Sequence, residues 1–340
     1  MRVVVTGAGG AVGRHVADRL AHNDAITELV GIDLQPGHGI VPLDLRSDDL
    51  GQVLQKDDVV VHLAASPLDF AGDDDAGSND LEILDRLLTA TRLAEAGHLV
   101  LASSSMVYGA WPENPVPLAE TEPVRPNPEF RFAVARAEME ARSQAWAADT
   151  GAALTILRAA TTLARGRENG LANLLRHSAA IRNADGEAPA QFLHAEDFAT
   201  AVELIVVGHH DGIYNVAPDG WLRPAELAAL RGTPDTQVRI PGFAVSAVSA
   251  ARRRFGAQTH PGLTAYLQHP WAVANDSLKA LGWSPEFSNE EAYVAGHRPS
   301  RFDGVTAKRR QELALGAAGA AIAGGGLGLA ALVRWLWRRP

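Results

Sequence analysis

Cysteine is absent from the chain. Disulfides, thiolate metal sites and a cysteine nucleophile are thereby excluded, and the composition fits a reducing compartment. Clustered positive charge is missing from the body as well. The net charge is -9 and Lys and Arg are scattered, so there is no basic footprint for a phosphate backbone, and nucleic acid is not an expected partner. The first residues run straight into the apolar Val3 to Val5, without the basic region, long apolar run and cleavage site of a secretory signal. A cytoplasmic body is expected from this. No internal repeat points to a solenoid or array. Two narrower absences bear on chemistry: no Tyr lies between Tyr108 and Tyr214, and no Lys between Lys56 and Lys279.

What is present is enough for a folded globular protein. At 340 residues and 46% hydrophobic composition the chain can bury one large core or two modest ones. Short apolar, β-rich runs alternate with helical patterns. A strand through Val3 to Val5 is followed by a helix from Gly13 to His22, then strands over 28–33 and 59–65. A helix around Leu81 to Ala96, a strand over 98–104, a helix around Phe132 to Ala148 and a strand over 154–160 complete the series. This alternation predicts an α/β fold of Rossmann type, a doubly wound parallel sheet with helices on both faces. From about Gly166 the pattern loosens into shorter segments divided by Pro and Gly. A smaller C-terminal substrate lobe is expected there, over 166–297, interleaved with a core of 1–165 and covering the carboxyl edge of the sheet.

The end of the chain differs in composition. Leu313 to Val333 carries no charge, with Lys308, Arg309 and Arg310 before it and Arg334, Trp335, Trp337, Arg338 and Arg339 after it. About 20 apolar residues span a bilayer core, and Trp and Arg suit its interface. The expectation is a basic linker over 298–312 and an apolar helix over 313–333 that attaches the protein to the cytoplasmic membrane, body facing the cytoplasm. A helix packed on the body, a flexible tail, or a helix lying on the membrane surface are the other readings. Gly316, Ala320, Gly324 and Gly328 fall at four-residue spacing, which lets two such helices approach and makes a homodimer an expectation.

Thr6-Gly7-Ala8-Gly9-Gly10-Ala11-Val12-Gly13 stands where the first strand turns into the first helix. Glycines at 7, 10 and 13 allow a tight turn, close approach of backbone to a pyrophosphate, and close helix–strand packing, while the helix N-terminus supplies amide donors. Asp33 ends the second strand twenty residues beyond Gly13. A carboxylate there accepts hydrogen bonds from ribose hydroxyls and repels a 2'-phosphate, and no Arg follows it before Arg46, so the cofactor is expected to be NAD rather than NADP.

With these residues in place, the sequence resembles the extended short-chain dehydrogenase/reductase superfamily, the NAD-dependent epimerase/dehydratase family, over roughly residues 1–297. The resemblance implies cofactor contacts from Gly7, Gly10, Ala11, Val12, Gly13 and Asp33, and adenine contacts at Asp44 and Leu45. His62-Leu63-Ala64-Ala65 resembles the fourth-strand signature beside the cofactor, which brings in Leu63, Ala64 and Ala65, and Asn79 opens the next helix as the family's Asn often does. Ser103 to Gly109 resembles the fifth-strand signature and implies that Ser104 is catalytic. Phe192 to Asp197, Tyr214 to Ala217 and Leu281 to Pro285 resemble the family's C-terminal half. No third ligand joins His194 and Asp197, so no metal is assigned, and the pair is expected to tie the lobe to the sheet.

In this family a Tyr and a Lys four residues apart on the helix after the Ser strand face the nicotinamide. The Lys lowers the Tyr pKa and holds the nicotinamide ribose, and the phenol exchanges a proton with substrate. Here Pro126 to Glu138 resembles the proline-led entry to that helix, and it puts Phe132 at the Tyr position and Arg136 at the Lys position. Phe has no proton to give, whereas Arg136 still offers donors to a ribose. Losing a positioned acid/base costs about 10²- to 10⁴-fold in rate, and Tyr108, Glu129, His194 and Glu196 are the candidates for a replacement. Two functions follow as expectations. One is a membrane-attached NAD(H)-binding protein that is catalytically non-canonical or inactive. The other is an active oxidoreductase, epimerase or dehydratase using Ser104 and a relocated proton donor on a nucleotide sugar, sterol or other alcohol or carbonyl compound. Leu157 to Thr161 departs from the Arg-Tyr-Phe-Asn pattern of nucleotide-sugar epimerases, which lowers the weight of that class. The substrate is a small molecule that the sequence leaves unnamed.

Overall fold

The computed structural model describes residues 1–37, 39–65, 76–165, 182–183, 188–230, 239–240 and 262–296. Its strands are β1 (Arg2–Thr6), β2 (Glu28–Asp33), β3 (Ile40–Pro42), β4 (Val59–His62), β5 (His98–Ser104), β6 (Ala153–Ala159), β7 (Thr161–Leu163), β8 (Arg182–Asn183), β9 (Phe192–His194), β10 (Gly212–Val216) and β11 (Arg239–Ile240). The helices are α1 (Gly13–Ala21), α2 (Ala76–Ala94), α3 (Arg131–Thr150), α4 (Ala195–Gly208), α5 (Pro224–Leu230), α6 (Leu263–Gln268), α7 (Asp276–Ala280) and α8 (Asn289–Ala295).

Seven strands form one sheet in the order β10-β6-β5-β4-β1-β2-β3, and every pair in it is parallel. Successive side chains of a strand point to opposite faces, and here both faces are buried. Val3, Val5, Val59, Val61 and Val100 pack with Val16 and Leu20 of α1 and Phe198, Val202 and Ile205 of α4. Val4, Val60, Leu99 and Leu101 pack on the other side with Leu84, Leu87 and Leu88 of α2 and Met139 and Trp146 of α3. Burial on both sides explains why the strands read as continuous apolar runs instead of alternating ones.

The chain leaves β1 toward β2 and β3 on one side, and β4, β5, β6 and β10 lie on the other. The crevice at the carboxyl ends of β1 and β4 is thus the topological switch point, where open α/β sheets bind ligands. Two differences from the sequence expectation concern the sheet. The short β3 extends it beyond β2, and Gly212–Val216 is the far edge strand, paired with β6. The core therefore takes in residues well past 165. In the smaller lobe β7 pairs with β9 and β8 with β11, and α8 starts with a reciprocal Ser288/Glu291 capping box. The basic linker 298–312 and the apolar segment 313–333 lie outside the described residues, and so does much of 166–297. Among the described residues no helix is long and apolar enough to cross a membrane.

Candidate functional site

The glycine loop is built from backbone. Gly7 and Ala8 amides both donate to the Ile32 carbonyl at 2.8 and 3.2 Å, and Leu63 donates to the Thr6 carbonyl at 3.1 Å, so β1, β2 and β4 converge on the turn. Gly7 has φ +74°, and a Cβ there would lie 2.7 Å from the Ala64 nitrogen. At Gly13 a Cβ would meet the Gly7 carbonyl oxygen at 2.0 Å. The turn and the start of α1 therefore close only with hydrogen at these positions, which leaves a cradle with bare backbone at a helix N-terminus. Ala11 and Val12 are half-buried between them.

Asp33 ends β2 beside this cradle. Its Oδ2 accepts from the Gly9 amide at 2.9 Å and its Oδ1 from the Gln35 amide at 3.2 Å. Asp44 lies past β3. Its Oδ1 accepts from the Arg46 amide at 2.9 Å, and the Arg46 side chain pairs with it at 3.3 Å. That hydrogen-bonded guanidinium holds the Asp44 carboxyl below its ordinary range. Leu45 turns its side chain into the core, and its carbonyl accepts from Arg86 Nε at 2.9 Å. Leu63 and Ala64 are half-buried and Ala65 is exposed directly after β4. These residues, drawn from four segments of sequence, line one edge of the sheet and fit an adenine dinucleotide.

At the same edge Thr6 Oγ1 and His62 Nδ1 lie 2.7 Å apart, and His62 Nε2 is buried with no hydrogen-bond partner. Burial, aided by the nearby Arg136 charge, pushes the His62 pKa down to about 3. Ser104 is the last residue of β5, half-buried, and its Oγ accepts from the Met106 amide at 3.2 Å. Its neighbour Ser103 faces the other way and donates to Glu140 Oε1 of α3 at 2.5 Å.

Phe132 and Arg136 sit on consecutive turns of α3 and touch, with the guanidinium 5.2 Å from the ring centroid. Arg136 Nη2 lies 3.0 Å from Asp80 Oδ2 of α2, both side chains under a tenth exposed, and Nη1 reaches Met139 Sδ at 3.5 Å. Burial lowers the Arg136 pKa against the opposing pull of Asp80. Asp80 is the residue that the sequence reading missed. Asn79 beside it is only half-buried, and no spacing rule separates two adjacent polar residues near a helix start.

The candidate proton donors are dispersed. Tyr108 is buried: its hydroxyl donates to Asn215 Oδ1 and accepts from Arg158 Nη1, both at 2.8 Å, and burial raises its pKa. Arg158 is in turn paired with Glu140 at 2.7 Å, the two side chains each 3% exposed. Glu129 is exposed ahead of α3. His194 caps α4 by accepting from the Glu196 amide and stacks on Phe287 at 3.9 Å, while Glu196 holds His15 of α1 at 2.7 Å. Asp197 accepts from the Glu286 and Phe287 amides at 2.8 and 3.1 Å and so ties the late lobe to α4. Among the described residues no group of three His, Asp or Glu gathers as a metal site.

The family model described as "NAD dependent epimerase/dehydratase family" matches residues 3–217. The chain belongs to that family. An uncharacterized protein of Mycobacterium tuberculosis is 26% identical over 309 residues, covering 86% of this chain and 82% of its own. The structure is similar to UDP-glucose 4-epimerase of Thermus thermophilus in complex with NAD, with a TM-score of 0.65 and 21% identity over 87% of this chain and 97% of that one. It is also similar to a Tyr-to-Phe mutant of UDP-glucuronic acid 4-epimerase from Bacillus cereus, solved with NAD and a fluorinated UDP-sugar, with a TM-score of 0.66 and 20% identity over 87% and 98% of the two chains. Family membership makes NAD the cofactor, and the cradle, Asp33 and the carboxyl edge fit it.

Proposed function

We propose that this chain is an NAD(H)-binding member of the epimerase/dehydratase family that has given up Tyr–Lys proton transfer and works by cofactor occupancy, attached to the cytoplasmic membrane through 313–333. One observation carries the loss of chemistry. At the two positions that the resemblance assigns to the proton-transferring pair, Phe132 presents a ring with nothing to donate, and Arg136 is drawn sideways into an ion pair with Asp80. Bound NAD supplies a hydride acceptor. The chain's own residues then hold and orient it: the Gly7–Gly13 cradle takes the pyrophosphate, and Asp33 takes the adenosine ribose. That the Bacillus cereus neighbour retains NAD with a Phe in place of a Tyr supports the idea that cofactor binding and such a substitution are compatible.

A second reading, turnover on an alcohol, carbonyl compound or nucleotide sugar, is favoured by Ser104, which stays half-exposed at the end of β5. The two separate in one set of assays on the purified protein. NADH fluorescence titration should show binding that falls at least about tenfold in Asp33→Ala, since two charge-assisted hydrogen bonds are lost. Turnover should be undetectable on simple alcohols and UDP-sugars. Turnover by the parental protein would establish the second reading, and failure to bind NADH would remove the first. Membrane attachment is tested by fractionation: the full chain should pellet with membranes and a version ending at residue 312 should not.

A further inference from the structure

Arg136 stands at one of the two positions that the resemblance assigns to the proton-transferring pair, and it is not alone. Its Nη2 lies 3.0 Å from Asp80 Oδ2, with side chains 9% and 7% exposed, so the two charges cancel inside the protein. The pair belongs to the cofactor edge. Arg136 is close enough to His62 to disfavour its protonation, and His62 is followed directly by Leu63 and Ala64, whose backbone closes on Gly7. The Phe132 ring centroid lies 5.2 Å from the guanidinium and brings no charge.

This matters because the two forms of the cofactor differ by one unit of charge on the nicotinamide ring: the oxidised ring is a cation and the reduced ring is neutral. An uncompensated cation in a buried wall beside the ring would repel the oxidised form and leave the reduced form untouched. We propose that Asp80, by neutralising Arg136, sets the oxidation-state preference of the site and lets it hold NAD⁺ alongside NADH. This rests on the reading that the cradle binds NAD(H). A site with no acid–base pair and little preference between the two forms reports the ratio of the couple around it.

The test is a charge series on the full chain, with direct NADH titration and competition by NAD⁺. Asp80→Asn and Asp80→Ser each leave Arg136 unbalanced in a different steric form, and Asp80→Asn/Arg136→Gln restores neutrality. Thermal melting checks that each is folded. The ratio of the NAD⁺ to the NADH dissociation constant should rise roughly threefold or more in the single variants, as expected for one unit charge near the ring at an intermediate dielectric. It should return toward the parental ratio in the double variant even where both affinities drop. A ratio that stays at the parental value in either folded single variant overturns the inference while leaving cofactor binding intact. A parental protein that binds neither form removes the cofactor reading itself.

Discussion

His62 and His98 occupy opposite ends of neighbouring strands and share one condition, enclosure without a carboxylate partner. Burial is the leading cause in both, and it brings their pKa values to about 3 and about 4 from the usual 6.5. The unfolded chain thus binds protons that the native state refuses between pH 6.5 and these lower values. Stability contributed by the neutral rings is complete above pH 6.5 and is lost as pH falls toward 4. Urea midpoints measured from pH 7.5 to pH 4.5 should decline through that window, and decline less in His98→Asn. Parallel slopes for the two proteins would refute the assignment. At this scale the sequence was most legible where backbone sterics leave one answer, at Gly7 and Gly13. It was least legible at Asp80, whose importance comes from a partner fifty-six residues away that only the packing of two helices supplies.

Helix α3 shows how an element can be readable in extent and misleading in character. The expected span, Phe132 to Ala148, differs from Arg131–Thr150 by a residue or two. Yet its buried face is Ala133, Arg136, Met139, Glu140, Ser143 and Trp146, half of it polar, because it meets Asp80, Ser103 and Arg158 as well as the apolar core. Helix α2 starts at Ala76, five residues before the expected Leu81. Its first turn, Ala-Gly-Ser-Asn, has weak helix propensity, but a Cβ at Gly77 would lie 3.1 Å from the Ala135 Cβ, so tertiary contact with α3 overrides that preference. The glycine loop is the element where local sequence and packing agree. Gly13→Ala should therefore lower the thermal midpoint by several degrees and abolish NADH binding, because the added methyl meets backbone that cannot yield. Retained binding would mean that α1 can shift outward without loss of the cradle.

For the whole molecule, the boundary read from sequence at residue 165, with the later lobe interleaved with the core, marks a change in pattern, and the sheet and its core run on past it. β10 completes the sheet against β6, and α4 puts Phe198, Val202, Ile205 and Val206 into the same cluster as β1 and α1. Arg19 and Asn23 both hold Glu203, at 2.6 and 2.8 Å, and His15 holds Glu196, so the first helix is laced to one nearly two hundred residues later. A fragment of residues 1–165 would lose α4 and β10 and expose the part of one sheet face that α4 covers. It should aggregate or stay molten, whereas 1–217 should contain every strand of the sheet. Cooperative thermal unfolding by circular dichroism in the shorter fragment would contradict this. The strands and their order of appearance were legible because both-sided burial demands apolar runs. The edge strand Gly212–Val216 is not legible as one, since Gly, Tyr and Asn interrupt the apolar pattern and its place depends on the Tyr108 hydroxyl donating to Asn215 Oδ1 and the Asn215 amide donating to Glu120 Oε1.

The posture of Asp33 has a kinetic consequence. Both carboxylate oxygens are held by the Gly9 and Gln35 amides, which fix the side chain in one rotamer. The side chain therefore has no rotamer search to complete when a dinucleotide arrives. Arrival should be limited by diffusion and docking, and differences in occupancy among related nucleotides should be expressed in how long each one stays.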